Sequence, residues 1–147
     1  MFKTIFRKLI LYFLSLSDNQ FHPMVFIKGD PLIKHGVYVG LFSEINATGG
    51  TLILGDNCDI ASFVSINVAD SHKKTLGLSI SIKRGSIVLE NNVFVGSHSF
   101  IGGCVHVGHH SVIGAGTILV GDDIIIPPYS LVVGSPYKIK EGYYDTA

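Results

Sequence analysis

The 147-residue chain contains no tryptophan, only two cysteines and few charged residues. Cys58 and Cys104 are too few for a disulfide framework, so we expect two free thiols in a reducing cytoplasm. Charged residues make up 15% of the sequence, and the formal net charge is zero with the seven histidines neutral. This balance argues against a nucleic-acid-binding surface. Because 47% of the residues are hydrophobic, we expect part of the surface to be covered in an oligomer.

The chain also lacks a hydrophobic run long enough to cross a membrane near its start. The run from Leu9 to Leu16 is much shorter than the roughly 20 apolar residues that a spanning helix needs. Apolar residues recur there at helical spacing, which predicts an amphipathic helix over about residues 2–16, within an N-terminal segment 1–20. Three basic residues accompany the apolar ones: Lys3, Arg7 and Lys8. We expect the helix to pack on the rest of the chain or on a neighbouring subunit. The alternative is an anchor on the cytoplasmic surface of the inner membrane.

A six-residue repeat occupies the stretch between residues 89 and 119. An aliphatic residue returns at every sixth position: Leu89, Val95, Ile101, Val107, Ile113 and Leu119. A small or β-branched residue stands four positions after each of the first five: Val93, Ser99, Val105, Ser111 and Thr117. A period of six fits neither an amphipathic helix nor an alternating strand, and it is the signature of a parallel β-helix. Both residue sets would point into a narrow prism, with glycine beside the aliphatic residue at the tight corners.

The same repeat begins earlier in the chain. Hexads run from Ile33 to Ile45 and from Leu54 to Ile66, and an insertion of three residues after Asn46 separates them. Before them, Phe21–Asp30 has the composition of a connector. We therefore expect an all-β fold, a parallel β-helix of hexapeptide repeats, over residues 21–147.

Two further interruptions break the repeat. Between Ile66 and Leu89 the spacing is not a multiple of six, and the polar sequence around Asp70 and His72 cannot enter the prism. We expect a loop extruded from the coil there. Catalytic residues are often carried by such loops on a rigid scaffold. A short insertion around Gly121–Asp123 keeps the Asp123 carboxylate out of the inward small site, where an unpaired charge would be costly.

The hexads and both interruptions resemble the hexapeptide-repeat acyltransferases, and among them the sugar O-acetyltransferases of the maltose, galactoside, nodulation-factor, capsule and O-antigen groups. The resemblance covers about residues 33–140. Its most specific pieces are Leu54-Gly-Asp-Asn, Asp70-Ser-His72, Val95-Gly-Ser-His98, Ile113-Gly-Ala-Gly116 and the closing segment from Ile126 to Pro136. The resemblance implies a left-handed β-helix, a homotrimer with active sites between subunits, and acetyl-CoA as co-substrate.

The resemblance also implies a role for individual residues. His72 matches the catalytic histidine, a general base that Asp70 would orient, and the backbone at Gly96 and Ser97 matches the oxyanion site. Three positions match the coenzyme A site: Ala115, Gly116 and Lys138. Either Ser43 or Asn46 matches an acceptor-binding asparagine, depending on the three-residue shift. The insertion at Val120–Ile124 departs from the family, because relatives carry a Thr-Lys pair there.

These features predict an enzyme that transfers an acetyl group to a sugar hydroxyl of a surface polysaccharide or its precursor, with no metal. The nearest alternative is an N-acetyltransferase acting on a nucleotide-linked amino sugar. A zinc protein similar to the γ-class carbonic anhydrases is a lesser alternative, with candidate ligands His72, His98, His106, His109 and His110. Within one coil these histidines do not stack 18 residues apart, so only an intersubunit zinc site would remain. A covalent acyl carrier at Cys104 and a non-catalytic scaffold are the remaining alternatives.

Overall fold

The computed structural model describes residues 1–14 and 19–146, and these form an N-terminal helix followed by a left-handed parallel β-helix of about six turns. Residues 15 and 16 of the predicted helix lie outside the described part. The helices are α1 (Phe2–Phe13) and α2 (His72–Thr75). The strands are β1 (Phe26–Lys28), β2 (Leu32–Ile33), β3 (Tyr38–Val39), β4 (Glu44–Asn46), β5 (Thr51–Leu54), β6 (Asp59–Ile60), β7 (Ser65–Asn67), β8 (Ala69–Asp70), β9 (Lys83–Arg84), β10 (Ser86–Leu89), β11 (Phe94–Val95), β12 (Phe100–Val107), β13 (Val112–Ile113), β14 (Ile118–Ile126), β15 (Leu131–Gly134) and β16 (Tyr137–Lys140).

The strands form the three faces of a prism. The first face contains β2, β5, β10 and the second halves of β12 and β14, and the second face contains β3, β6, β11, β13 and β15. The third face contains β1, β4, β7 and the first halves of β12 and β14. These neighbours run parallel, and only β16 closes the coil by pairing antiparallel with β15. Each short strand inside the coil therefore has its backbone groups satisfied by the turns above and below, while β1, β2 and β3 have a neighbouring turn on one side only.

The predicted inward positions are the core of the prism. All six aliphatic residues of the repeat between residues 89 and 119 are fully buried, and each lies in register with its equivalent one turn away. The small sites are buried too, and the hydroxyls there donate to backbone carbonyls. Ser99 Oγ, for example, donates to Gly114 O at 3.0 Å. Serine and threonine fit these sites because their only polar group finds a partner inside.

The coil begins earlier than the sequence predicts. The expected connector contains β1, which pairs with β4 from Phe26↔Glu44 to Lys28↔Asn46, and Val25 beside it is fully buried. Pro23 and Gly29 indicated a turn-rich segment. They instead flank a single strand that completes the third face. The sequence did not predict this strand, because three residues are too few to show a period of six.

All three interruptions of the repeat lie at one corner of the prism, between the third and first faces. The three-residue insertion follows β4, and the extruded loop separates β7 from β10. The short insertion is a register shift, since Gly103 pairs with Gly121 but Val105 pairs with Ile124. The corner between the first and second faces and the one between the second and third keep constant length from the β5 turn onward. Chain length therefore varies at only one corner of this part of the coil.

The two thiols lie in different environments. Cys58 is buried in an inward small site, and its Sγ donates to Glu90 O at 3.0 Å. Burial raises the pKa of this thiol, which lowers the fraction present as reactive thiolate. Cys104 is half-buried on the outward side of β12, and both thiols are free.

We expect a thiol reagent to modify Cys104 rapidly in the native protein and Cys58 only after the coil unfolds. Spectrophotometric counting of thiols with and without denaturant measures this difference. A Cys104→Ser variant is the control, and it should show no rapid phase while keeping the slow one. Equal reactivity of the two native thiols would contradict the burial of Cys58.

Candidate active site

A short hairpin carries the extruded loop at the corner between the third and first faces. Strands β8 and β9 pair antiparallel, with Ala69 opposite Arg84 and Asp70 opposite Lys83. Helix α2 starts directly after this pair, with His72 as its first residue. The loop is therefore anchored to the coil at both of its ends, which fixes where His72 stands relative to the prism.

His72 and Asp70 are held together by two contacts. The His72 backbone N–H donates to Asp70 Oδ1 at 3.0 Å, and the ring Nδ1 lies 2.5 Å from the same oxygen. These contacts, first the backbone one and then the ring, hold the pKa of Asp70 below its usual range. An ionised carboxylate can only accept, so Nδ1 carries the proton. The opposite ring nitrogen, Nε2, has no partner in the part of the chain that the structure describes.

A cavity of about 330 Å³ lies between this loop and the third face. His72 and Asp70 line it on the loop side, while Phe100, Gly102 and Gly103 line it on the coil side. Both glycines are required by close contacts, because an added Cβ at Gly102 would lie 2.8 Å from the Phe100 ring and one at Gly103 would lie 2.2 Å from Gly121 O. The imidazole therefore borders a space large enough for a small reacting group.

The far side of the cavity is closed by an ion pair that sequence reasoning missed. Lys83 Nζ lies 2.5 Å from Asp122, and this contact raises the pKa of Lys83. The sequence could have suggested this ion pair, because Lys83-Arg84 at the loop end and Asp122-Asp123 in the short insertion carry opposite charges. The 39-residue separation gave no reason to pair them. The insertion thus contributes a wall of the cavity.

The predicted oxyanion and donor residues lie at a different corner, between the second and third faces. Gly116 N donates to Ser97 O at 2.9 Å, and an added Cβ at Gly96 would lie 2.4 Å from Ala115 N. Close backbone approach therefore requires glycine at residue 96. The Ser97 N–H has no acceptor among the described residues. One chain does not bring this corner to His72, and none of these four residues lines the His72 cavity.

The remaining predicted residues fall in three different places. Lys138 is exposed on β16, opposite Val133. Asn46 ends β4 in register with Asn67, a lining residue of the His72 cavity, and its Oδ1 accepts from Thr48 N at 3.0 Å. Ser43 is fully buried, and its hydroxyl donates to Ala61 O and accepts from Val64 N. The predicted acceptor contact of Ser43 is therefore wrong, because its hydroxyl faces the core.

The other histidines form contacts that the sequence did not predict. His98 stacks on Phe63 with ring centres 4.9 Å apart, and Phe63 stacks on Phe42. His106 Nε2 lies 2.8 Å from Glu90, which also accepts from the His109 N–H, and these contacts lower the pKa of Glu90. Among residues 1–14 and 19–146, no group of three His, Cys, Asp or Glu side chains is placed to hold a metal.

Comparison with known proteins finds acyltransferases among those similar to this chain. No protein-family model matches the chain. Galactoside O-acetyltransferase of Escherichia coli K12 is 36% identical over 91 residues, which are 60% of this chain and 43% of that protein. The solved structure of the polySia-specific acetyltransferase NeuO is 26% identical, with a TM-score of 0.56, and the match covers 80% of this chain and 65% of NeuO.

The fold has a further likeness in AntD, an N-acyltransferase from Bacillus cereus that was solved with dTDP-4-amino-4,6-dideoxyglucose and coenzyme A. The TM-score is 0.70 at 18% identity, and the match covers 86% of this chain and 70% of AntD. The chain is a relative of the hexapeptide-repeat acetyltransferases. It spans less than half the length of the curated relatives it matches. In this chain, the short insertion contributes Gly121 and Asp122 to the wall of the His72 cavity.

Proposed function

We propose that this chain is an acetyltransferase that moves the acetyl group of acetyl-CoA to a hydroxyl of a sugar in a surface polysaccharide or its precursor. The observation that carries the proposal is the His72–Asp70 pair at the edge of an open cavity, with Nε2 unpaired among the described residues. Because Nδ1 carries the ring proton, Nε2 has a free lone pair, and His72 can take a proton from a weakly nucleophilic hydroxyl. Relatives named as acetyltransferases support the reaction class. The free thiols fit a cytoplasmic site of reaction.

The proposed reaction is a direct attack of the acceptor hydroxyl, with His72 Nε2 as the proton acceptor. The acceptor oxygen attacks the carbonyl carbon of the thioester while its proton moves to His72 Nε2. The tetrahedral intermediate carries a negative oxygen, which the Ser97 N–H beside Gly96 would stabilise. The C–S bond then breaks, and the imidazolium returns its proton to the departing sulfur of coenzyme A. Asp70 holds the ring in one tautomer and stabilises its charged form.

The proposed site needs more than one copy of the chain. His72 and Ser97 lie at different corners of the prism, so a neighbouring copy would bring one corner to the other. We propose a homotrimer, because three prisms packed around one axis form three equivalent clefts of this kind. Ala115 and Gly116 would line the path of the pantetheine arm, and Lys138 would offset phosphate charge on coenzyme A. Asn46, near Asn67 of the His72 cavity, would contact the acceptor.

A thiol-release assay with acetyl-CoA tests the proposal. We expect release that depends on an added acceptor, measured over a panel of sugars, amino sugars and their nucleotide adducts. Activity with hydroxyl acceptors supports the proposal as stated. Activity with amino sugars alone would overturn the choice of acceptor, since the same base and donor site serve an amine. No release with any acceptor and no thermal stabilisation by acetyl-CoA would contradict the acetyltransferase function itself.

A further inference from the structure

The N-terminal helix α1 turns its apolar face away from the rest of the molecule. At 100° per residue, six large side chains fall within one arc of about 120°. Each of them is 49–83% exposed: Phe2, Ile5, Phe6, Leu9, Tyr12 and Phe13. We call this set the outer face of α1. Such a cluster of aromatic and aliphatic side chains is unusual on an unpartnered protein surface.

The opposite side of α1 attaches the helix to the coil. Leu11 is 4% exposed and is the buried residue of the helix. The Arg7 guanidinium donates to Phe21 O and to Asn19 O. The apolar stripe therefore does not pack on this chain, which was one of the two expected positions, and packing on a neighbouring subunit stays a prediction.

Positive charge is concentrated beside the outer face. Three basic residues, Lys3, Arg7 and Lys8, occur in residues 1–14, and the first acidic residue of the sequence is Asp18, although the whole chain has zero net charge. On the helical projection Lys3 lies on one side of the outer face and Lys8 on the other. Lysines in this position can extend their long side chains past an apolar face to reach charged groups at its border.

We propose that the outer face of α1 docks on the surface of an anionic lipid bilayer. Aromatic and leucine side chains bordered by lysines are the composition of helices that lie in the interface of a membrane. A bilayer supplies both the apolar layer for the outer face and the negative headgroups for the lysines. A second copy of the chain would present the same positive segment, which does not complement this charge. No helix in the described residues is long and apolar enough to cross the bilayer, so the contact is peripheral.

Vesicle co-sedimentation of the full chain tests this proposal, which does not depend on the acetyltransferase function. We expect binding to vesicles of phosphatidylcholine with phosphatidylglycerol, weak binding to phosphatidylcholine alone, and loss of binding at high salt. A Lys3→Gln/Lys8→Gln double variant should lower the partition coefficient about 25-fold, since each lysine near an anionic surface contributes about fivefold. A Leu9→Glu variant should abolish binding.

The matched control is Ile80→Glu, because Ile80 is 98% exposed on the extruded loop and lies outside the helix. This variant should bind vesicles as the natural chain does. Failure of the natural chain to bind anionic vesicles, or equal binding by the Leu9→Glu variant, would overturn the proposal. A lower oligomer mass for Leu9→Glu in light scattering would also overturn it, since the outer face would then be an interface between copies.

Discussion

Replacement of His72 by alanine is expected to lower the turnover number for acetyl transfer by about 10²–10⁴-fold. The His72 ring borders the cavity, and its Nε2 has no other partner among the described residues, so loss of the ring removes the proton acceptor. The measurement is the steady-state rate of coenzyme A release with the best acceptor from the panel. The Michaelis constants should change little, because the ring acts on the transferred proton and not on binding.

Two controls separate a chemical loss from a structural one. His72 is exposed and lies outside the prism, so the thermal midpoint of the variant should match that of the natural chain. His35→Ala removes another exposed histidine, on the turn before β3, and should keep normal turnover. Near-normal turnover in His72→Ala would rule out His72 as the base.

Replacement of Ile101 by alanine is expected to lower the free energy of unfolding by about 2–5 kcal/mol. Ile101 is fully buried on the third face, and its register partners are Ile66 on one side and Leu119 on the other. Removing its side chain leaves a cavity in a column that the rigid backbone ladder cannot close. Denaturant unfolding followed by circular dichroism measures the change, and the slope of the transition should stay constant.

Ile80→Ala is the matched control for this prediction. The same side chain is removed at a site that is 98% exposed, so stability should change by no more than about 0.5 kcal/mol. Similar losses in both variants would contradict the assignment of Ile101 to the prism core. A lower slope in Ile101→Ala would instead indicate that unfolding proceeds in parts, as in other stacked repeats.

The sequence predicted the buried positions of the six-residue repeat, and it did not predict features that occur only once, such as strand β1. Ser99 and Ile101 were placed correctly because a period of six repeats over many turns, and a wrong register would bury charge. The insertion at Gly121–Asp123 was found for the same reason, since it repairs the count. A single strand such as β1 has no period, so nothing in its residues distinguished it from a connector.

The candidate site was predicted only in part, because its contacts join segments with no fixed spacing. His72 and Asp70 are only two residues apart in the extruded loop, so their contact could be predicted from the sequence. Lys83 reaches Asp122 only because the two residues stand at the same corner of the coil, two turns apart. The stack of Phe42, Phe63 and His98 was hidden in a similar way, since insertions make the spacings 21 and 35 residues instead of 18.

The restriction of all length changes to one corner has a consequence for how such proteins diverge. A loop inserted between the third and first faces alters the walls around His72, while the stacked aliphatic columns keep the same neighbours. Changes in acceptor preference can then accumulate there without a matching loss of thermodynamic stability. The segment between β8 and β9 is thus the natural unit to exchange between relatives when a new specificity is sought.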